Sequence, residues 1–425
     1  MRTQLTKLGN GVEGLFVEDS RFKTTLVSFS FFLPLSEKEA AQYALLPFLL
    51  TTSCEEYPSF RELNLRLSEL YGAKLSASVL KVGDCQQLKI AVSCINDSFA
   101  LNCESVVAEA TELLVSMVFA PSLCGESFKK SDVEREKRLM RERIFGEINE
   151  KRLYARKQLI STMFRGNAYA TERYGSVEAL NETTPQSLFA AWERMLRSAF
   201  VRVQVFSDKY PKAIFSGIEK AFSAINRDHI TDVTSVRKYT PAEYIDTEEN
   251  MDIAQGKLVM GFSVDMCGST RETLPLTVMT DLFGGGPYSK LFTNVREKLS
   301  LCYYCASAAN RQKGYLLVDS GVEANNAEKA KDAILKELEE IKNGNFSAAD
   351  LEYSKAGIKD SLKSSLDSQG ALDNYFSVRV SEEEITPPDV LVDGIDSVTS
   401  EDVIAVANGI KLTTVYRLMP KREVQ

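Results

Sequence analysis

The stretch GGGPYSKLFTNVREKLSLCYY, residues 284–304, decides how the rest of the chain is read. Three glycines and a proline precede a basic amphipathic run, which gives way to an aromatic patch. A phosphate-binding loop would need G-x-x-x-x-G-K-[ST] after a strand. Here the glycines close STRETLPLTVMTDLF, a capped helical pattern, and Ser289 comes before Lys290, so the phosphate reading does not fit. What remains is a turn between two helices, with Pro287 suited to the first turn of the second. A strand then begins at the aromatic patch.

Working outward, the same order of elements occurs twice. In the second half it runs GKLVMGFSV as a strand, then the two helices, then SLCYYCASA and GYLLVDSGV as strands. Helices near 326–344, 347–381 and 399–409 follow, with TTVYRLM as a closing strand. In the first half, FKTTLVSFSFF (22–32) is rich in β-branched and aromatic residues and reads as a strand. SEKEAAQYALLPFLL (36–50) reads as a helix with a serine cap and a glutamate three positions on, and SFRELNLRLSELYG as a second helix stopped by Gly72. AKLSASVLKV and QQLKIAVSCI are strands, then come helices near 104–118, 128–165 and 184–198 and the strand FVRVQVF. The chain is thus an internal duplication with a period of roughly 230 residues. The expected class is α+β, with two tandem homologous domains, each an antiparallel-rich sheet packed with helices. We place them at 1–226 and 257–425, joined by a polar linker, 227–256.

Bulk properties agree with a globular chain. Its 425 residues exceed one ordinary core, and 44% are hydrophobic and 26% charged. A formal charge of −8 argues against nucleic acid or an anionic membrane as partner. No secretory signal is expected from MRTQLTKLGNGVEG, and LVSFSFFLPL is cut off by SEKE before it could span a bilayer. A cytoplasmic location follows as an expectation, with the eight scattered cysteines as free thiols. The chain has one histidine, His229, which falls in the linker and reads as a solvated loop residue.

With LFGGGPYSKLFTNVREKLSLCYY at its place in the second half, this arrangement resembles the pitrilysin and mitochondrial-processing-peptidase family of zinc metallopeptidases. Members often read like GGG…SRLF…REKLGLAY there. The resemblance implies two lobes closing as a clamshell around a peptide. It also implies an inverted zinc motif, H-x-x-E-H, on the first helix after the first long strand, with histidine ligands and a glutamate base. In this chain Tyr43, Leu46 and Pro47 stand at those positions. Leucine takes no proton, proline offers no donor atom, and a lone tyrosine is a poor zinc ligand. The zinc site is expected to be lost, leaving no catalytic residue and no bound cofactor. The family's third ligand, a glutamate on a later long helix, would correspond to Glu136 or Glu142. The plainer reading of that helix is a solvated face laced with ion pairs.

The resemblance further implies that the C-terminal half completes the active site with an Arg-x6-Tyr pair. Arg296 and Tyr303 have that spacing. The arginine would hold a substrate carbonyl, and the tyrosine would donate to the oxyanion of a tetrahedral intermediate. On the residues alone, Arg296 is a helix-ending cation and Tyr303 a packing tyrosine. Strand alternation sends Tyr304 to the opposite face and also separates Cys302 from Cys305, which argues against a thiol pair. The GGG run is too short for the long glycine-rich insert of processing-peptidase α-type subunits.

The leading expectation is a zinc-less subunit of a two-chain metallopeptidase. Its Arg296 and Tyr303 would face zinc held by a paralogous partner, with an extended peptide as substrate; whether the chain pairs with itself as a homodimer when alone is left open by the sequence. The chain also looks similar to bacterial sequences labelled as associated with elongation factor P modification, though no residue here explains such chemistry. The alternative is a structural scaffold with no part in hydrolysis. A self-sufficient serine or cysteine hydrolase lacks a nearby histidine base.

Overall fold

The computed structural model describes residues 1–234, 240–241, 243–382 and 384–421. It divides into two compact units, neither of them one continuous stretch of chain. The first comprises Met1–Ile144, Thr171–Ser235 and Ser368–Val380; the second comprises Phe145–Ala170, Val236–Asp367 and Ser381–Gln425.

The first unit holds a six-stranded sheet of β1 (Arg2–Gly9), β2 (Val12–Glu18), β3 (Thr24–Pro34), β4 (Lys74–Val82), β5 (Cys85–Ile95) and β6 (Phe200–Ser207), in the order β1-β2-β6-β3-β5-β4. Only β2 and β6 pair in parallel. The alternation in β3 sets its two faces. Val27, Phe29, Phe31 and Leu33 enter a core shared with Leu45, Leu46 and Leu49 of the helix Ala40–Leu50. The opposite face carries Ser28 and Ser30, which a solvated sheet would expose, yet both are fully buried.

The cover on that face is the helix Gln369–Ser377, which comes from the C-terminal half of the sequence but belongs to the first unit. Its Asp373 carboxylate accepts from Ser28 Oγ at 2.5 Å, Gln204 Nε2 at 2.6 Å and Lys89 Nζ at 2.6 Å. Lys89 and Asp373 are both buried, so each charge depends on the other for solvation.

The second unit holds β7 (Ile245–Met251), β8 (Gly256–Ser263), β9 (Cys302–Asn310), β10 (Tyr315–Val322) and β11 (Lys411–Pro420), in the order β7-β11-β8-β10-β9. Here too one sheet face is covered by a helix from the other half of the sequence, Lys151–Met163. The guanidinium of Arg152 pairs with the buried Asp319 of β10 and lies 4.3 Å over the Tyr304 ring. Tyr154 donates to Glu249 at 3.1 Å. Lys89 and Asp319 occupy equivalent strands one repeat apart, so the two sheets use the same device with the charges reversed.

Several expectations need correction. The charged helix over 128–165 is two helices, Lys130–Asn149 and Lys151–Met163, broken at Glu150. The helix expected from Ser36 begins at Ala40, with Glu39 at its N-cap and no side-chain cap. The hairpin of β1 and β2 lies upstream of the first expected strand, although Asn10-Gly11 is a strong turn signal and Gly11 takes φ +64°. Part of the segment read as linker is structured. β7 lies within it as an edge strand parallel to β11, and Arg227 is buried, donating to the backbone oxygens of Asn10, Leu196 and Ala199. Burial lowers the Arg227 pKa to about 10. The short helices Val177–Glu182, Lys212–Ser223 and Pro388–Asp396 were not read from periodicity.

Candidate functional site

The glycine run packs one helix end against a strand. Gly284 closes the helix Leu274–Gly284, and a Cβ there would stand 2.6 Å from the Ser307 backbone nitrogen on β9. Residues 285–289 then form a turn in which Ser289 Oγ donates to the Gly286 carbonyl at 2.6 Å. Pro287 lies in that turn and not in the first turn of the next helix, which corrects the expectation from sequence.

That next helix, Leu291–Lys298, is a π-helix, a rare form that recurs at functional sites. Leu299 N donates to Asn294 O at 3.0 Å, closing the wide turn. Two contacts anchor the helix: Lys290 to Asp350 at 2.7 Å and Asn294 to Glu337 at 2.6 Å. Arg296 sits in its last turn, 4.4 Å over the Phe292 ring and 3.5 Å from Glu297. Ser300 follows with φ +49°, a left-handed conformation that suits glycine better than serine. This is the position where the resembled pattern, REKLGLAY, has glycine.

β9 opens with a bulge. Cys302 pairs with Val322 and Tyr304 with Gly321, which leaves Tyr303 as the extra residue. Tyr303 is 59% exposed, and its hydroxyl reaches Glu323 at 3.4 Å. Tyr304 instead packs beneath Arg152, as alternation had suggested.

The bulge overturns the expected separation of the cysteines. The Cys305 thiol hydrogen-bonds to Cys302, and this bond, together with the Arg296 charge, holds the Cys302 thiol below its ordinary pKa against the opposing effect of burial. Cys305 is pushed well above its ordinary value by its bond to Cys302 and by burial.

Arg296, Glu297, Cys302, Tyr303, Glu323 and Asn326 line one open cavity of about 310 Å³ within the second unit. The structure therefore brings Arg296 and Tyr303 to the same concavity. It adds Glu323, which sequence spacing gave no reason to select because it lies two elements further along. A cation, a phenol and a carboxylate around one hollow can bind a polar backbone through directed hydrogen bonds.

The side chains at Tyr43, Leu46 and Pro47, where the resemblance set the zinc motif, do not fit a metal. Tyr43, Leu46 and Pro47 are all buried in the helix Ala40–Leu50. The one oxygen among them, the Tyr43 hydroxyl, lies 3.4 Å from both Glu39 and Arg194, and burial raises its pKa. Glu142 is exposed and paired with Arg138 at 3.4 Å, as the solvated ion-pair reading expected, whereas Glu136 departs from that reading: it is buried and paired with its neighbour Arg135. Among the described residues no group of three or more His, Cys, Asp or Glu side chains is placed to hold a metal ion. His229 is an exposed loop residue.

A family model described as "Peptidase M16 inactive domain" matches residues 182–358, a span that includes the whole cavity. The chain is 30% identical to "Probable inactive metalloprotease YmfF" of Bacillus subtilis (strain 168), over 98% of this chain and 97% of that one. This chain belongs to the M16 peptidase family. The fold agrees. A conserved protein from Enterococcus faecalis V583 superposes with a TM-score of 0.91 at 27% identity, covering all of both chains. An M16 inactive domain from Pseudomonas fluorescens does so at 0.78 and 14% identity, with 99% of each chain covered. The pitrilysin-like resemblance drawn from residues 284–304 is thus supported along the whole chain.

Proposed function

We propose that this chain is the zinc-less subunit of a two-chain bacterial, cytoplasmic metallopeptidase. In this reading a paralogous partner holds zinc with an intact H-x-x-E-H. This chain supplies Arg296 to hold a carbonyl of an extended peptide and Tyr303 to donate to the oxyanion. It contributes binding and orientation, and the partner contributes the hydrolytic water.

One observation carries the reading. Arg296 and Tyr303, seven residues apart on two different elements, line one open cavity, while the zinc-motif positions of the same chain are filled by core side chains. Tyr303 serves no packing role that would account for its place, since more than half of it is exposed. The Phe292 ring, the π-helix and its two anchors hold Arg296 without consuming it in a buried ion pair. Such support from neighbouring groups is what a positioned binding side chain needs.

The test is reconstitution. This chain and a zinc-bearing paralogue from the same organism are assayed singly and together on a pool of fluorogenic peptides. Zinc-dependent cleavage confined to the mixture, and diminished by Arg296→Ala, supports the reading. Full activity of the paralogue alone favours a scaffold role for this chain.

A further inference from the structure

A second chemistry lies in the wall of the same cavity. Cys302 lines the hollow with 8% of its surface exposed, and Cys305, which does not line it, is buried at 5%. In a regular strand, residues three apart point to opposite faces, so a C-x-x-C there would be two unrelated core thiols. The bulge at Tyr303 removes one step of the alternation, so Cys302 and Cys305 fall two ladder positions apart on the same side of β9.

We propose that Cys302 and Cys305 form a thiol-modification site for small-molecule disulfides, and that its occupation closes the cavity between Arg296 and Tyr303. Cys302 faces the hollow and attacks one sulfur of the incoming disulfide RSSR. The S–S bond breaks, and the departing thiolate takes up the proton released from Cys302 and leaves as RSH. The mixed disulfide then occupies the cavity. Cys305 next attacks the Cys302 sulfur, forming the intrachain bond and releasing the second RSH. Two thiols are oxidised and one disulfide is reduced to two thiols, so electrons and protons balance.

The division of labour follows from position. An attacking sulfur must be reachable and carry thiolate character, whereas a resolving sulfur needs only to lie behind it. The lowered pKa of Cys302 and the raised pKa of Cys305 agree with those roles. Tyr303 lies between the two, so closing the intrachain bond draws in the bulge and moves its hydroxyl away from Glu323. The thiol chemistry stands independently of the proposed peptidase role, and only the blocking of peptide binding rests on it.

The experiment treats the reduced full chain with bis(2-hydroxyethyl) disulfide and maps the products by mass spectrometry, with the exposed Cys124 as an internal control. In the wild type the segment containing Cys302 and Cys305 should lose two hydrogens. Cys305→Ser should stop at one hydroxyethylthio group on Cys302, and Cys302→Ser should form neither product there. Cys302 left unmodified in Cys305→Ser while Cys124 is fully modified would overturn the proposal. A wild type that stops at the mixed disulfide would do the same. Peptide binding by fluorescence anisotropy should weaken at least about tenfold in modified Cys305→Ser. Unchanged binding there overturns the blocking claim alone. A reduced wild type that binds no peptide overturns the peptidase reading, and blocking with it, while the mass changes still decide the thiol site.

Discussion

The hydroxyl of Tyr303 lies 3.4 Å from the carboxylate of Glu323 across the mouth of the cavity that Arg296 also lines. This is a long contact for an O–H···O bond. The phenol can therefore turn to a stronger acceptor at little cost, and a developing oxyanion is one. In the assembled enzyme, Tyr303→Phe should lower kcat by on the order of 10²-fold with KM nearly unchanged. Steady-state kinetics on a single peptide check this, and unaltered kcat would reduce Tyr303 to a surface residue.

Arg296 should show the opposite split. In the proposed role its fork would bind a carbonyl in ground and transition states alike, so Arg296→Ala should raise KM by about tenfold and change kcat less. Arg296→Lys should recover little, because an ammonium does not reproduce the planar pair of donors. Recovery of wild-type KM by lysine would show that only charge matters there.

The Lys89–Asp373 pair ties the first sheet to a helix that arrives from the far end of the sequence. Asp373→Ala would leave the buried Lys89 ammonium with Asn374 Oδ1 but no carboxylate, and would remove the acceptor of Ser28 Oγ. The expected cost is about 3–5 kcal/mol, seen as a fall in the urea midpoint of the first unit. Replacing both partners, Lys89→Met with Asp373→Leu, should recover most of that loss. A single Asp373→Ala within about 0.5 kcal/mol of wild type would mean the pair is solvated.

Ser300 holds φ +49° without being glycine. A left-handed residue with a Cβ costs about 1–2 kcal/mol, so Ser300→Gly should raise stability by up to about 1 kcal/mol after the added unfolded-state entropy. Thermal denaturation reads this directly. A loss of stability would show that the Ser300 side chain contributes more than its backbone costs.

Asp281 should give a pH signature. Burial raises its pKa in the folded state. A carboxyl raised on folding adds stability that is fully present below its unfolded value and lost as pH rises through the folded value. Asp281→Asn should therefore gain on the wild type as pH goes from 4 to 7. Melting temperatures at both pH values measure it, and a gap that narrows would reverse the sign.

Much of this was legible in sequence because alternation and helical periodicity report burial directly. Residues 22–32 and 256–264 read as strands for that reason, and the repeat followed from element order. The buried polar face of β3 was not legible, because Ser28 and Ser30 look solvent-facing until Asp373 is folded over them from the other half. Arg296 and Tyr303 were singled out by the family resemblance, since on the residues alone they read as a helix-ending cation and a packing tyrosine. Glu323 and the thiol pair were not, since a single bulged residue resets the alternation on which face assignment depends. The Asn10-Gly11 hairpin could have been found from its turn residues alone.

The most direct measurement is zinc-dependent hydrolysis of a fluorogenic peptide pool by this chain, by a zinc-bearing paralogue from the same organism, and by the two combined. A split active site requires activity in the combination only, lowered on the order of 10²-fold by Tyr303→Phe. Equal activity from the paralogue with and without this chain would contradict it.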